Sequence, residues 1–191
     1  MNKDFDPIFK ADSDFHNNAC LNFMPDMSLG YIDGYKMAAD ELAVKIHETG
    51  VNQDYLVYPI VFLYRQHLEL LLKSIIKSAR KALGTNEQGH PAHHKIINLW
   101  PLAKDLRKRI WGKDHPTEFK FVDHVIKEFS VYDPDSMAFR YPENKEGTIP
   151  NQGLKHINTR LLAEGIAKSS NTLWDIQHGI DCYSDTESQQ G

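Results

Sequence analysis

The sequence predicts a single all-α domain, an up-and-down helical bundle of about five helices. Three observations predict it: apolar residues recur at steps of three and four along most of the chain, glycines fall mostly at the ends of those runs, and almost no stretch alternates as a half-buried strand would. At 191 residues, 41% hydrophobic and 25% charged, the chain suits one domain with a sizeable core. No internal repeat and no linker divides it.

Residues 1–26 read as an irregular arm rich in Asp, Asn and Pro, in which Phe5, Phe9, Phe15 and Phe23 are expected to clamp onto the core. The bundle is expected over 27–182, followed by a disordered polar tail over 183–191. The first helix is expected from Met27 to Glu48, with Ile32, Tyr35, Ala39, Leu42 and Ile46 on one stripe and Thr49-Gly50 as its stop. The second, Asp54 to Leu83, is the longest and most apolar; Pro59 sits near its start and Gly84 ends it. The third runs from His94 to Ile110 with Ile96, Leu99, Ala103 and Leu106 inward, and Pro101 predicts a kink or a late start. The fourth, Thr117 to Tyr132, carries Phe119, Val122, Ile126 and Phe129 on one face. The last is expected from Gln152 to Ile180, with Leu154, Ile157, Leu161, Leu173 and Ile176 inward.

No apolar run approaches the roughly 20 residues that span a bilayer, so no membrane partner is expected. The opening Met1-Asn2-Lys3-Asp4-Phe5-Asp6 is acidic and lacks the apolar stretch of a signal peptide. Cys20 and Cys182 are distant from each other and fit reduced thiols, so the cytoplasm is the expected compartment. The net charge of −4 argues against bulk attraction to nucleic acid. Residues 73–113, however, hold ten Lys/Arg against Glu87 and Asp105, a local +8 that leaves −12 elsewhere. Such a segment either binds an anionic partner or serves as a solubilising face, and the second is the commoner use of surface charge.

The second helix places polar groups inside an apolar run. Arg65, Gln66, Glu69, Lys73, Lys77 and Arg80 share an arc of about a third of the circumference with Phe62, Leu70 and Ile76. That much apolar bulk predicts a partly covered arc and a partly buried Arg65–Glu69 ion pair, either a helix staple or part of a ligand site together with Lys73. His90, His93 and His94 form the one histidine cluster. Pro91 lies among them, and neither a His-Glu-x-x-His motif nor a Cys pair supplements them, so neither a metal nor a cofactor is expected. His94 is expected in the first turn of the third helix, capping backbone donors. In the loop Asp133-Pro134-Asp135-Ser136-Met137-Ala138-Phe139-Arg140-Tyr141-Pro142, the aromatics can insert between helices while Arg140 reaches for a phosphate or a carboxylate. Either an anion or a pinning bridge to Glu69 or an aspartate would suit it. No Gly-rich phosphate loop, nucleophile elbow or kinase signature appears.

Three segments carry a likeness to a known group. Tyr64-Arg65-Gln66-His67-Leu68-Glu69-Leu70-Leu71-Leu72-Lys73, His94-Lys95-Ile96-Ile97-Asn98-Leu99-Trp100 and Phe139-Arg140-Tyr141-Pro142 resemble the HEPN-like bacterial helical-bundle family. In that family an Arg…Glu-Leu-x-Leu-Lys helix precedes a His-Asp-Leu helix; here Lys95-Ile96 stands where Asp-Leu is usual. The resemblance implies an up-and-down bundle, often a homodimer, serving toxin–antitoxin, phage-defence or RNA-processing systems. Active members are metal-independent endoribonucleases with an Arg and a His four to six residues apart. The one such spacing, Arg109 to His115, stands beside Gly112 and Pro116 and lacks the usual polar residue after the arginine. The expectation is therefore a non-catalytic module binding RNA, a nucleotide or a cognate protein, with Arg65, Glu69, Lys73, Ser136 and Tyr141 as ligand residues. The alternatives are a ribonuclease in which Arg140 or Arg65 stabilises phosphate charge and His94 or His67 moves the proton, with His94 and Arg140 favoured, or a protein-binding immunity module without a nucleic-acid role.

Overall fold

The computed structural model describes residues 8–190 except 86, 88 and 113–115. After a single 3₁₀ turn at Phe15–Asn17 come five helices: α1 (Ser28–Thr49), α2 (Gln53–Ala82), α3 (Ile96–Trp111), α4 (Phe119–Tyr132) and α5 (Thr159–Gln190). No strand occurs among the described residues, and the fold is the all-helical bundle that the sequence predicts.

Local chemistry sets the helix ends. The Asp26 carboxylate accepts the Ser28 N–H at 2.8 Å and opens α1. Gly50, at φ 64°, closes it with a bond from its N–H to the Ile46 carbonyl, a left-handed position where a missing Cβ removes the strain. Only Gly50–Asn52 separate α1 from α2, which makes the two antiparallel neighbours. Pro59 and Pro101 both lie inside helices, so each helix forgoes one backbone bond and continues.

Several boundaries depart from the sequence reading, among them the start of α4 at Phe119 rather than Thr117. The third helix starts at Ile96, so His94 stands before it and caps nothing. The last helix starts at Thr159 rather than Gln152, because Asn158 caps it: its side-chain oxygen accepts the Leu161 N–H at 3.1 Å. Leu154 and Ile157 precede the helix and cannot set its phase, and Leu161, expected inward, is accordingly exposed. The same helix continues past Ile180 to Gln190. In the arm, Phe9, Phe15 and Phe23 are exposed rather than clamped to the core. Asp12 and Asn18 bond each other across the arm, and the exposed Asp26–Lys77 pair links its end to the bundle. Phe5 lies outside the described residues.

Helix α2 packs against α1, α3 and α5, while α4 closes onto α3 and α5. Ile60, Leu68, Leu71, Leu72, Ile75 and Ile76 of α2 are fully covered, along with Ile32, Ala39, Leu99, Val122, Ile166 and Leu173. Burying each large aliphatic side chain contributes about 1.5–3 kcal/mol. At the α3–α5 contact, a Cβ on Gly179 would come within 3.2 Å of the Trp111 ring, so this glycine admits the indole.

His67 joins three helices. Its Nδ1 lies 2.9 Å from the Ile32 carbonyl of α1 and its Nε2 lies 3.0 Å from Ser170 Oγ of α5. The carbonyl can only accept, so Nδ1 carries the proton and Nε2 accepts from Ser170. Burial pushes this imidazole below its usual range and keeps it neutral. With both nitrogens engaged and no solvent access, His67 is a structural bridge, not the proton carrier that the ribonuclease alternative would need.

Candidate functional site

The arc on α2 becomes a buried ionic network. Arg65, Glu69 and Lys73 are 0%, 1% and 7% exposed, one helical turn apart. Arg65 Nη1 donates to Glu69 Oε2 at 3.1 Å, and Lys73 Nζ donates to Glu69 Oε1 at 2.9 Å. The pair expected to be partly buried is fully buried, and it reaches beyond its own helix. His94 Nδ1 approaches Glu69 Oε1 at 2.7 Å, and its backbone carbonyl accepts Arg65 Nη2 at 2.5 Å. The Glu69 carboxylate and the Arg65 guanidinium thus hold one residue by its ring and by its backbone. The His94 side chain is two-thirds exposed. With the Nδ1 proton directed at Glu69, Nε2 is the ring's outward face.

Burial pushes the Glu69 carboxyl up, but the hydrogen bonds from Lys73 and His94 and the charges of Lys73 and Arg65 outweigh it. The net displacement is downward, so Glu69 stays ionised. Burial also draws the Arg65 guanidinium down from its usual range against the pull of Glu69 and Asp133. A guanidinium remains charged even so.

The loop after α4 builds a second polar group. Asp133 Oδ1 accepts the Met137 and Ala138 N–H groups at 2.8 and 2.9 Å. Ser136 completes the turn at φ 60°, a left-handed conformation that costs a non-glycine residue about 1–2 kcal/mol. Burial pushes the Asp133 carboxyl up despite those bonds and the Arg65 charge. Arg65 Nε, Asp133 Oδ2 and Ser136 Oγ are all buried without a hydrogen-bond partner. Such atoms are few in a folded protein, and their clustering on one helix–loop junction marks it out.

Arg140 and Tyr141 stand apart from this junction. The exposed Arg140 guanidinium lies 5.4 Å from the Phe62 ring and 5.2 Å from the Tyr141 ring. It donates to Tyr141 Oη at 3.3 Å, and among the described residues it meets no carboxylate. The alternative of a bridge to Glu69 or an aspartate is therefore overturned: Glu69 already has its cations, and the aromatic faces hold Arg140 instead. No contact joins Arg140 to His94. Tyr141 lines a cavity of about 780 Å³ whose wall also carries Asp133, Asp135, Glu143 and Glu146, an acidic lining that disfavours phosphate.

At least five of the ten cations in the basic segment meet acids. Lys73 meets Glu69, Lys77 meets Asp26, Arg80 meets Glu87, Lys95 meets Asp135 and Lys104 meets Asp123. Glu87 already belongs to the segment, so the four acids from outside it, Glu69, Asp26, Asp135 and Asp123, offset half of its local +8. His115 lies outside the described residues. Among the described residues, no group of three or more His, Cys, Asp or Glu could hold a metal ion, and no helix is long and apolar enough to cross a membrane.

The structure thus brings together Arg65, Glu69, Lys73 and His94, sets Ser136 beside them through Asp133, and keeps Arg140 and Tyr141 separate. Sequence reasoning missed Asp133 as a buried carboxylate. The available signal was an Asp-Pro turn followed by Ser136 in a tight loop, a pattern in which the aspartate side chain bonds the following backbone. Comparison with protein-family models, with curated proteins and with solved structures finds no match for this chain.

Proposed function

We propose that the chain is a HEPN-like helical module that binds RNA or a nucleotide in a cytoplasmic defence or toxin–antitoxin type system, without cleaving it. The observation that carries this reading is the network in which buried Arg65, Glu69 and Lys73 hold an exposed His94. Burying three charges is costly, and a well-packed apolar trio would stabilise a bundle as well or better. Fixing one solvent-facing imidazole by its Nδ1 gives the arrangement a purpose: Nε2 presents a positioned donor or acceptor to a polar ligand. Binding is favoured over cleavage because Arg140, the other residue proposed for chemistry, makes no contact with His94. A phosphate would lack the joint acid–base and charge stabilisation that transfer needs.

The Glu69–His94 hydrogen bond favours one second reading, a metal-independent endoribonuclease. There the Glu69 carboxylate orients the ring and Nε2 takes the 2′-hydroxyl proton, with Arg140 supplied by a rearranged loop. The test is incubation of the purified chain with total RNA in excess chelator, beside retention of labelled RNA at rising salt. The expected result is intact RNA, with retention that falls as salt rises and weakens in His94→Ala. Cleavage that disappears in both His94→Ala and Arg140→Ala would establish the ribonuclease in its place. Absence of both retention and cleavage would remove the RNA reading.

A further inference from the structure

We propose that the pocket between the start of α2 and residues 150–157 takes a single unstacked nucleotide, with its base against Tyr58 and Phe139 and its phosphate on Lys155. The ligand class rests on the RNA-or-nucleotide reading above; the site is a different one. The pocket encloses about 540 Å³ and is lined by Gln53, Asp54, Tyr58, Phe139, Asn151, Lys155 and His156, among others. That volume falls within the range of small-molecule sites, and the lining is more polar than apolar, which suits a polar ligand.

One wall is aromatic. Tyr58, 53% exposed, has its ring centroid 6.4 Å from that of Phe139, tilted by 46°. An exposed tyrosine backed by a second ring offers a π surface on which any base stacks, and unstacked bases of single strands are what such surfaces capture. Arg140 follows Phe139 directly, and its guanidinium over Phe62 and Tyr141 extends the same cation–aromatic surface outside the pocket. The polar lining suits the rest of a nucleotide. The Gln53 amide offers donors and an acceptor to a base edge, and Asn151 on the same lining has a buried Nδ2 with no acceptor within the protein. Lys155 supplies one positive charge and His156 a ring nitrogen, while Asp54 on the same lining opposes additional negative charge. One phosphate is therefore accommodated and a triphosphate disfavoured.

Calorimetric titration of the full chain tests this with four arms: the 5′-monophosphates of adenosine, guanosine, cytidine and uridine; ATP; ribose 5-phosphate; and a single-stranded RNA octamer. The expected result is one-site binding of at least one monophosphate, weaker binding of ATP and none of ribose 5-phosphate. Tyr58→Ala should weaken the monophosphate at least tenfold, as loss of a stacking partner does. Lys155→Ala should reduce the salt dependence of binding. Tyr58 and Lys155 are both exposed, so neither substitution threatens the fold. Monophosphate binding without octamer binding would support a free nucleotide at this pocket and count against RNA as the module's ligand. An octamer that binds wild type, Tyr58→Ala and Lys155→Ala alike, with no monophosphate bound, would overturn the pocket and leave the RNA reading standing. Failure of every monophosphate and of the octamer overturns the pocket outright.

Discussion

Glu69 and Asp133 are two carboxylates buried to the same degree, each 1% exposed, yet their proton affinities move in opposite directions. Burial pushes both up. Glu69 receives hydrogen bonds from Lys73 and His94 and lies beside Arg65 as well, which carries it below the usual carboxylate range. Asp133 has two backbone N–H donors on one oxygen, none on the other, and a more remote Arg65, which leave it above the usual carboxylate range. The number and charge of the partners, rather than depth, decide which way a buried acid moves. The first acid is bound into the helix core, whereas the second is held by its loop at a remaining desolvation cost.

The largest way to break this contrast is Glu69→Ala, which strands Arg65 and Lys73 as buried cations. It should destabilise the fold by about 3–5 kcal/mol in urea unfolding. Replacing Arg65, Glu69 and Lys73 together by Met, Leu and Met should cost less than that single change, because no buried charge is left unpaired. A triple variant weaker than Glu69→Ala would show that the ion network itself stabilises the bundle. Next in size is the pH dependence. The lowered Glu69 contributes stability that is present above pH 4.5 and lost as pH falls through its folded value. The raised Asp133 does the reverse: its contribution is full below pH 3.8 and lost as pH rises through its folded value. Unfolding midpoints of wild type and Asp133→Asn, followed from pH 7 downward, should therefore diverge in favour of wild type as Asp133 takes up its proton. At pH 7 the asparagine should change stability by less than about 1 kcal/mol, since its Oδ1 still accepts the two N–H groups. Parallel pH curves would sink this assignment. The smallest effect belongs to Ser136→Gly. It relieves a left-handed serine whose hydroxyl has no partner and should leave stability unchanged or raise it by up to about 1 kcal/mol.

The same contrast explains what was legible in the sequence. The Glu69 network could be read as far as its own helix, because Arg65, Glu69 and Lys73 are spaced four apart and share an arc with Phe62, Leu70 and Ile76. The contribution of His94 could not, since it crosses a loop and depends on α3 starting two residues later than its apolar pattern suggests. Asp133 was visible only as a turn residue; its burial is a tertiary outcome that no local pattern records. The five helices followed from periodicity alone. The late start of α5 was hidden because Leu154 and Ile157 imitate a helical stripe ahead of the Asn158 cap. The exposure of Phe9, Phe15 and Phe23 was equally hidden, since composition shows that an aromatic residue seeks cover but not whether cover lies within reach.

The clustering of Arg65, His67, Glu69 and Lys73 within one short stretch of α2 also makes that helix a ruler. An all-aliphatic α2 would slide along its neighbours with little change in energy, one leucine standing in for the next. These polar groups act as index marks instead: one must meet the Ile32 carbonyl and Ser170 while others meet the His94 carbonyl and ring. A shift of a single residue turns every mark by about 100° and leaves charges facing hydrocarbon. The bundle therefore has one register rather than several, and the exposed face of His94 inherits its position from that alignment.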